Sequence, residues 1–199
     1  MNATLVNLFD LNYLRPEAGG LVSMDVLLRK YGRRRPALVA ICHKMFTEAS
    51  TLVGPVSAFR AFPSDDIELI SARLPGAGFV ALGLCTIGPA LENMARSLFE
   101  EDPAAAVILD ELGNKFVGEL ARRAHLALRR LASEQGLRAG PAFRPGIGHW
   151  PVEIQPLILE RLSAPDLGIS LSDGLMMIPQ KSISFVVALG QSLGRSLHP

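Results

Sequence analysis

The chain has 199 residues, 49% of them hydrophobic, with 20 basic and 19 acidic residues for a formal charge of +1. That is enough apolar material for one substantial core, and the near balance of charge excludes a nucleic-acid groove or a polybasic membrane anchor as the principal surface. No apolar run reaches the roughly 18 residues needed to span a bilayer, and Met1–Val6 lacks the basic and apolar signal-peptide pattern; a soluble, cytoplasmic protein with no nucleic-acid and no membrane partner is expected.

Residues 24–32 predict a short amphipathic helix ended by Gly32, and the basic run Arg29–Arg35 suits a solvated helix terminus, where cations complement the dipole. From Pro36 to about Val53, the positions Leu38, Ile41, Met45 and Leu52 recur at helical spacing until Gly54-Pro55 stops the pattern. Val56–Phe62 and Ile67–Ala72 have strand character, and the Pro-Ser-Asp-Asp between them predicts a hairpin. Gly78–Ile87 is almost wholly apolar, as expected of a strand buried on both faces. It runs into Pro89, well placed as the first residue of a helix.

Asp102-Pro103 then caps a long helix running to about Gln135 and stopped by Gly136. Ile108, Leu112, Phe116, Leu120 and Ala124 form its inward stripe, with Arg122, Arg123, Arg129 and Arg130 on the solvated side. Beyond a Gly- and Pro-rich loop, Pro156–Leu162 predicts a short helix that packs Leu157, Ile158 and Leu162 inward. Ile169–Leu171, Leu175–Ile178 and Ile183–Leu189 predict a meander punctuated by Asp173-Gly174 and Pro179-Gln180. The sum is one α+β domain over residues 1–199, with N-terminal helices at about 24–53 and a core at about 56–190.

Conventional chemistry is sparse. Cys42 and Cys85 lie inside apolar stretches and form neither a zinc pattern nor a disulfide framework; with no basic neighbour in sequence, Cys85 reads as a core residue. His43, His125, His149 and His198 are scattered without metal-ligand spacing, so no metal is expected. No G-x-S-x-G elbow, phosphate loop or dinucleotide fingerprint is present, and no catalytic residue is assigned. What points to chemistry is Arg144-Pro-Gly-Ile-Gly-His-Trp-Pro151, followed later by Met177-Ile-Pro-Gln-Lys-Ser182. Two glycines and two prolines in the first of these exclude a packed helix or a regular strand. By composition alone the segment is more often a connecting turn than a ligand loop. Thr86 and Gly88 precede a helix N-terminus, which has free amides for a carboxylate or phosphate.

Taken in order, Cys85–Glu92, Leu109-Asp-Glu-Leu112, Pro145–Gln155 and Gly168–Ser182 resemble the reactivation (AdoMet-binding) domain of cobalamin-dependent methionine synthase, above all its stand-alone bacterial relatives. The similarity runs from about Met24 to Gly190. It implies a single C-shaped α+β domain with a twisted antiparallel sheet and a long central helix, binding S-adenosylmethionine in a shallow groove near the Pro-Gly loop. It also implies that the domain presents AdoMet to the oxidised corrinoid of a partner methyltransferase for reductive methylation, with cobalamin entering only through that partner. Arg144, Pro145, Gly146, Ile147, Gly148 and Trp150 would shape the ligand site, bordered by Thr86, Gly88, Asn114, Lys181 and Ser182, with Lys181 and Ser182 near Arg144 to bind a carboxylate. The chain departs from the family at three places: Ile147 stands for a Tyr, Ala142 for an Arg, and Asn114 for a ligand-contacting Glu. These changes motivate an alternative, a free-standing enzyme that converts AdoMet itself by intramolecular cyclisation or elimination at the sulfonium without corrinoid. A third reading is a binding protein that has lost AdoMet.

Overall fold

The apolar run at residues 78–87 becomes the middle of the molecule. In the computed structural model, which describes residues 7–32 and 37–193, Phe79–Thr86 (β3) lies between Val56–Pro63 (β2) and Ser182–Gly190 (β7). Asn12–Leu14 (β1) extends the sheet beyond β2, and Arg138–Phe143 (β4) extends it beyond β7, giving five strands in the order β1-β2-β3-β7-β4, all antiparallel. Both faces are covered, which is why the central strands do not alternate apolar with polar residues.

One face carries Ala37–Leu52 (α2), Ala90–Leu98 (α4) and Pro103–Glu134 (α5), and joins Phe59, Ala81, Cys85, Phe185 and Val187 to Leu112, Phe116 and Leu120 in one cluster. The other carries Glu68–Ser71 (α3) and Gln155–Arg161 (α6), where Val80, Leu82, Leu84 and Val186 join Ile70, Ile158 and Leu162. At 32 residues, α5 is about 48 Å long and crosses the sheet. Its cap is as expected: Asp102 accepts a hydrogen bond from the Ala105 amide at 3.0 Å, with Pro103 behind it. Arg122 and Arg123 both pair with Glu119, and Arg123 also reaches the Gly20 carbonyl. In β3, Gly83 faces Phe185 across the ladder, and a Cβ there would sit 2.0 Å from the ring.

Several expectations are corrected. Residues 67–72 are not a strand, and no hairpin forms: Ser64–Ile67 is a 3-10 turn leading into α3, and β2 pairs with β3 instead. Ile67, Ile70 and Leu74 are buried while Leu69 is 62% exposed, a helical spacing rather than an alternation. The meander is divided, since Ser170–Leu171 (β5) and Met177–Ile178 (β6) pair with each other while β7 enters the main sheet between β3 and β4. The helix at 24–32 has one α-helical stretch, Asp25–Leu27 (α1), followed by a π turn over Leu28–Gly32. β4 was concealed by Gly140-Pro141: the register shifts between Ala139 and Ala142, and at a sheet edge such a bulge tolerates a residue without an amide hydrogen. Arg33–Pro36 and His198 lie outside the described residues. Among those described, no helix is long and apolar enough to cross a membrane.

Candidate functional site at one end of the sheet

Antiparallel pairing places the ends of β3 and β4 and the start of β7 at the same end of the sheet. Thr86 pairs with Ser182 there, whereas β4 follows β7 only as far as the Phe143–Val186 pair. From Ser182 to Phe185, therefore, β7 has β3 on one side and no strand on the other. The Gly- and Pro-rich loop begins where β4 stops.

This loop is shaped mainly by its own backbone. The Ile147 amide donates to the Arg144 carbonyl (3.1 Å), the Trp150 amide to Ile147 (3.2 Å), and the Gly146 amide to Trp150 (2.7 Å). Gly146 and Gly148 have φ of 79° and 62°, the left-handed region that a side chain resists. Trp150 stacks on Phe143 with centroids 5.1 Å apart, and both pack against the α6-side core; Arg73 donates to the His149 carbonyl at 3.2 Å. The tip is left free, with Ile147 61% exposed. Burial pushes the Cys85 thiol up to about 12, against smaller lowering effects from the Ser57 hydroxyl and the Arg144 charge.

At the corner itself, the Ser182 hydroxyl donates to Thr86 Oγ1 at 3.0 Å, and the Gly88 amide donates to the same oxygen at 3.1 Å. Both hydroxyl residues are buried. One proton serves the bond between them, leaving the pair's second hydroxyl proton without an acceptor among the described residues.

On the α5 side, Lys181 Nζ lies 2.6 Å from Asp110 Oδ1 and donates to Asn114 Oδ1 at 2.9 Å. Its stem crosses α5 at Gly113, where a Cβ would come within 3.1 Å of Lys181 Cε and 2.8 Å of Leu91 Cδ2. Glu92, in the first turn of α4, accepts from the Gln180 and Lys181 amides at 2.8 and 3.4 Å. Glu92, Asp110, Asn114 and Gln180 line an open groove of about 980 Å³ between α4 and α5. Glu111 lies on the same groove; burial works to raise its pKa, but hydrogen bonds from Lys30 and Tyr31 hold it below the ordinary carboxylate value.

Thr86, Gly88 and Ser182 are joined through the Thr86 hydroxyl on the face of the sheet that Leu84 and Val186 share, the α6 side, while Lys181 and Asn114 are bonded to each other on the α5 side. Arg144, Pro145, Gly146, Ile147, Gly148 and Trp150 share that end of the sheet, and their anchors lie in the α6-side layer. The ammonium of Lys181 is held by Asp110 and Asn114. Asp110 and Glu92 were not singled out from the sequence. Both lie in segments that carry the sequence resemblance, but their pairing could not be read there, since their partners lie far along the chain: Glu92 and Lys181 are 89 positions apart.

No family model matches this sequence, and no curated protein is similar to it in sequence. Among solved structures, the crystal structure of the MetH reactivation domain bound to AdoHcy matches with a TM-score of 0.64, covering 90% of this chain and 78% of that one at 13% identity. The two share a fold. At this level of identity the likeness shows the architecture alone.

Proposed function

We propose that this chain binds S-adenosylmethionine at the β3–β7 end of the sheet, between the Arg144–Pro151 loop and α5, and presents it to a corrinoid held by a partner methyltransferase. The observation that carries the reading is the shared fold with a domain crystallised with AdoHcy. The segments that carry the sequence resemblance, Cys85–Glu92, Pro145–Gln155 and Gly168–Ser182, also fall at one end of the sheet, which supports it. The unpaired stretch of β7 has backbone groups for a flat heterocycle or ribose, and the Thr86–Ser182 pair has a spare hydroxyl proton for an acceptor. Arg144, Gly146, Gly148 and Trp150 bound the loop side; Asn114 and Lys181 bound the helix side.

When bound, AdoMet supplies an electrophilic methyl group on a good leaving group, so the protein's contribution is position rather than acid–base chemistry. Cys85, next to Thr86, stays a buried protonated thiol and offers no thiolate to compete for that methyl group. Calorimetry with AdoMet and AdoHcy tests the ligand, and both are expected to bind; absence of heat with millimolar ligand would overturn the reading. For the partner role, adding the chain to an oxidised corrinoid methyltransferase with reductant and AdoMet should restore the methylcobalamin spectrum. Release of methylthioadenosine by the chain alone would instead favour an AdoMet-converting enzyme.

A further inference from the structure

Lys181 is 7% exposed, and a lysine so placed is stable only with its charge well matched. Its ammonium is held by Asp110 Oδ1 and Asn114 Oδ1, two residues one turn apart on α5 that line the groove between α4 and α5. The bond also sets the direction of the Asn114 amide. With the oxygen turned to the lysine, Nδ2 turns away from it and donates to Asp110 Oδ2 at 3.4 Å. What remains for a ligand is the second Nδ2 proton of Asn114 beside a remaining lone pair of Asp110 Oδ2, and the charge of Asp110 is already balanced by the lysine.

We propose that Lys181 is the specificity-determining residue of this wall. By neutralising Asp110 and fixing Asn114, it makes the wall fit a zwitterionic amino-acid group, with an ammonium against Asp110 and a carboxylate against Asn114, in preference to a plain amine. Without the lysine the same wall is an acidic patch with a freely turning amide, which favours a cation. The lysine acts through its two partners, so it is a positioning residue. The inference rests on the AdoMet reading and assigns the amino-acid end of that ligand to Asp110 and Asn114.

The test compares three ligands by calorimetry: AdoMet, decarboxylated AdoMet, which keeps the amine but lacks the carboxylate, and methylthioadenosine, which has neither. The wild-type chain should prefer AdoMet to its decarboxylated form by about tenfold or more. Lys181→Met, which keeps an unbranched stem over Gly113, should abolish or reverse that preference while methylthioadenosine stays within about twofold. Asn114→Asp, at an exposed position, should weaken AdoMet alone and keeps the question answerable where Lys181→Met fails to fold. A preference unchanged in both variants, or equal weakening of all three ligands, would overturn the lysine's role. Failure of the wild-type chain to bind any of the three would instead remove the AdoMet reading on which the inference rests.

Discussion

On the α5 side of the sheet end, Lys181, Asp110, Asn114 and Glu92 are tied by side-chain bonds that bridge segments 67 to 89 positions apart. On the α6 side, the Arg144–Pro151 loop is tied mainly by backbone bonds within itself, with one aromatic stack and one bond from Arg73 to the His149 carbonyl, and its tip is in solvent. The first region exists only when α4, α5 and β7 are docked. The second has most of its shape written into a few consecutive residues. A ligand held between them would meet a rigid polar wall on one side and an adjustable backbone on the other.

The contrast breaks most visibly at the helix that carries the wall. Leu112 is fully buried on α5, and Leu112→Ala should cost about 2–5 kcal/mol in urea unfolding; a loss below about 1 kcal/mol would mean α5 is not the anchor described. Trp150→Ala should cost less, about 2 kcal/mol, because Trp150 is only half-buried. It should disturb loop amide exchange while leaving that of α5 unchanged, and equal loss of protection in both would erase the distinction between local and long-range construction.

A smaller effect comes from His125, on α5 beside β4. Burial holds its imidazole below the ordinary value of 6.5, with Arg129 acting in the same direction and the bond to the Gly140 carbonyl against it. As pH falls through 6.5 the unfolded chain takes up the proton before the folded one, so the contribution is complete above that pH and shrinks below it. His125→Gln should flatten the fall of stability between about pH 7 and 5, and an unchanged slope would dismiss the contribution. Smallest of all, Ile147→Ala at the exposed loop tip should change stability by less than about 0.5 kcal/mol, so any large change in AdoMet affinity there would report ligand contact rather than folding.

Legibility in the sequence follows the same division. The Asp102-Pro103 cap, the α5 stripe and the turn glycines act within a few residues, and each stands where the pattern predicts. β4 was illegible because Gly140-Pro141 argues against a strand until the chain is known to be at an edge with a bulge. Ile67–Ala72 misled because a stretch that short fits a strand and a helical turn equally well, and only its packing on the sheet decides between them.

The sequence by itself determined a mixed α+β chain with one long central helix, an apolar central strand and a loop that must turn at Gly146 and Gly148. These follow from side-chain periodicity, caps and φ preferences, which are local. Only the tertiary structure decided that β7 lies between β3 and β4, and that Lys181 spends its charge on Asp110 and Asn114. Strand order and ion-pair partners depend on contacts between distant segments, and such contacts exist only after the hydrophobic faces have packed.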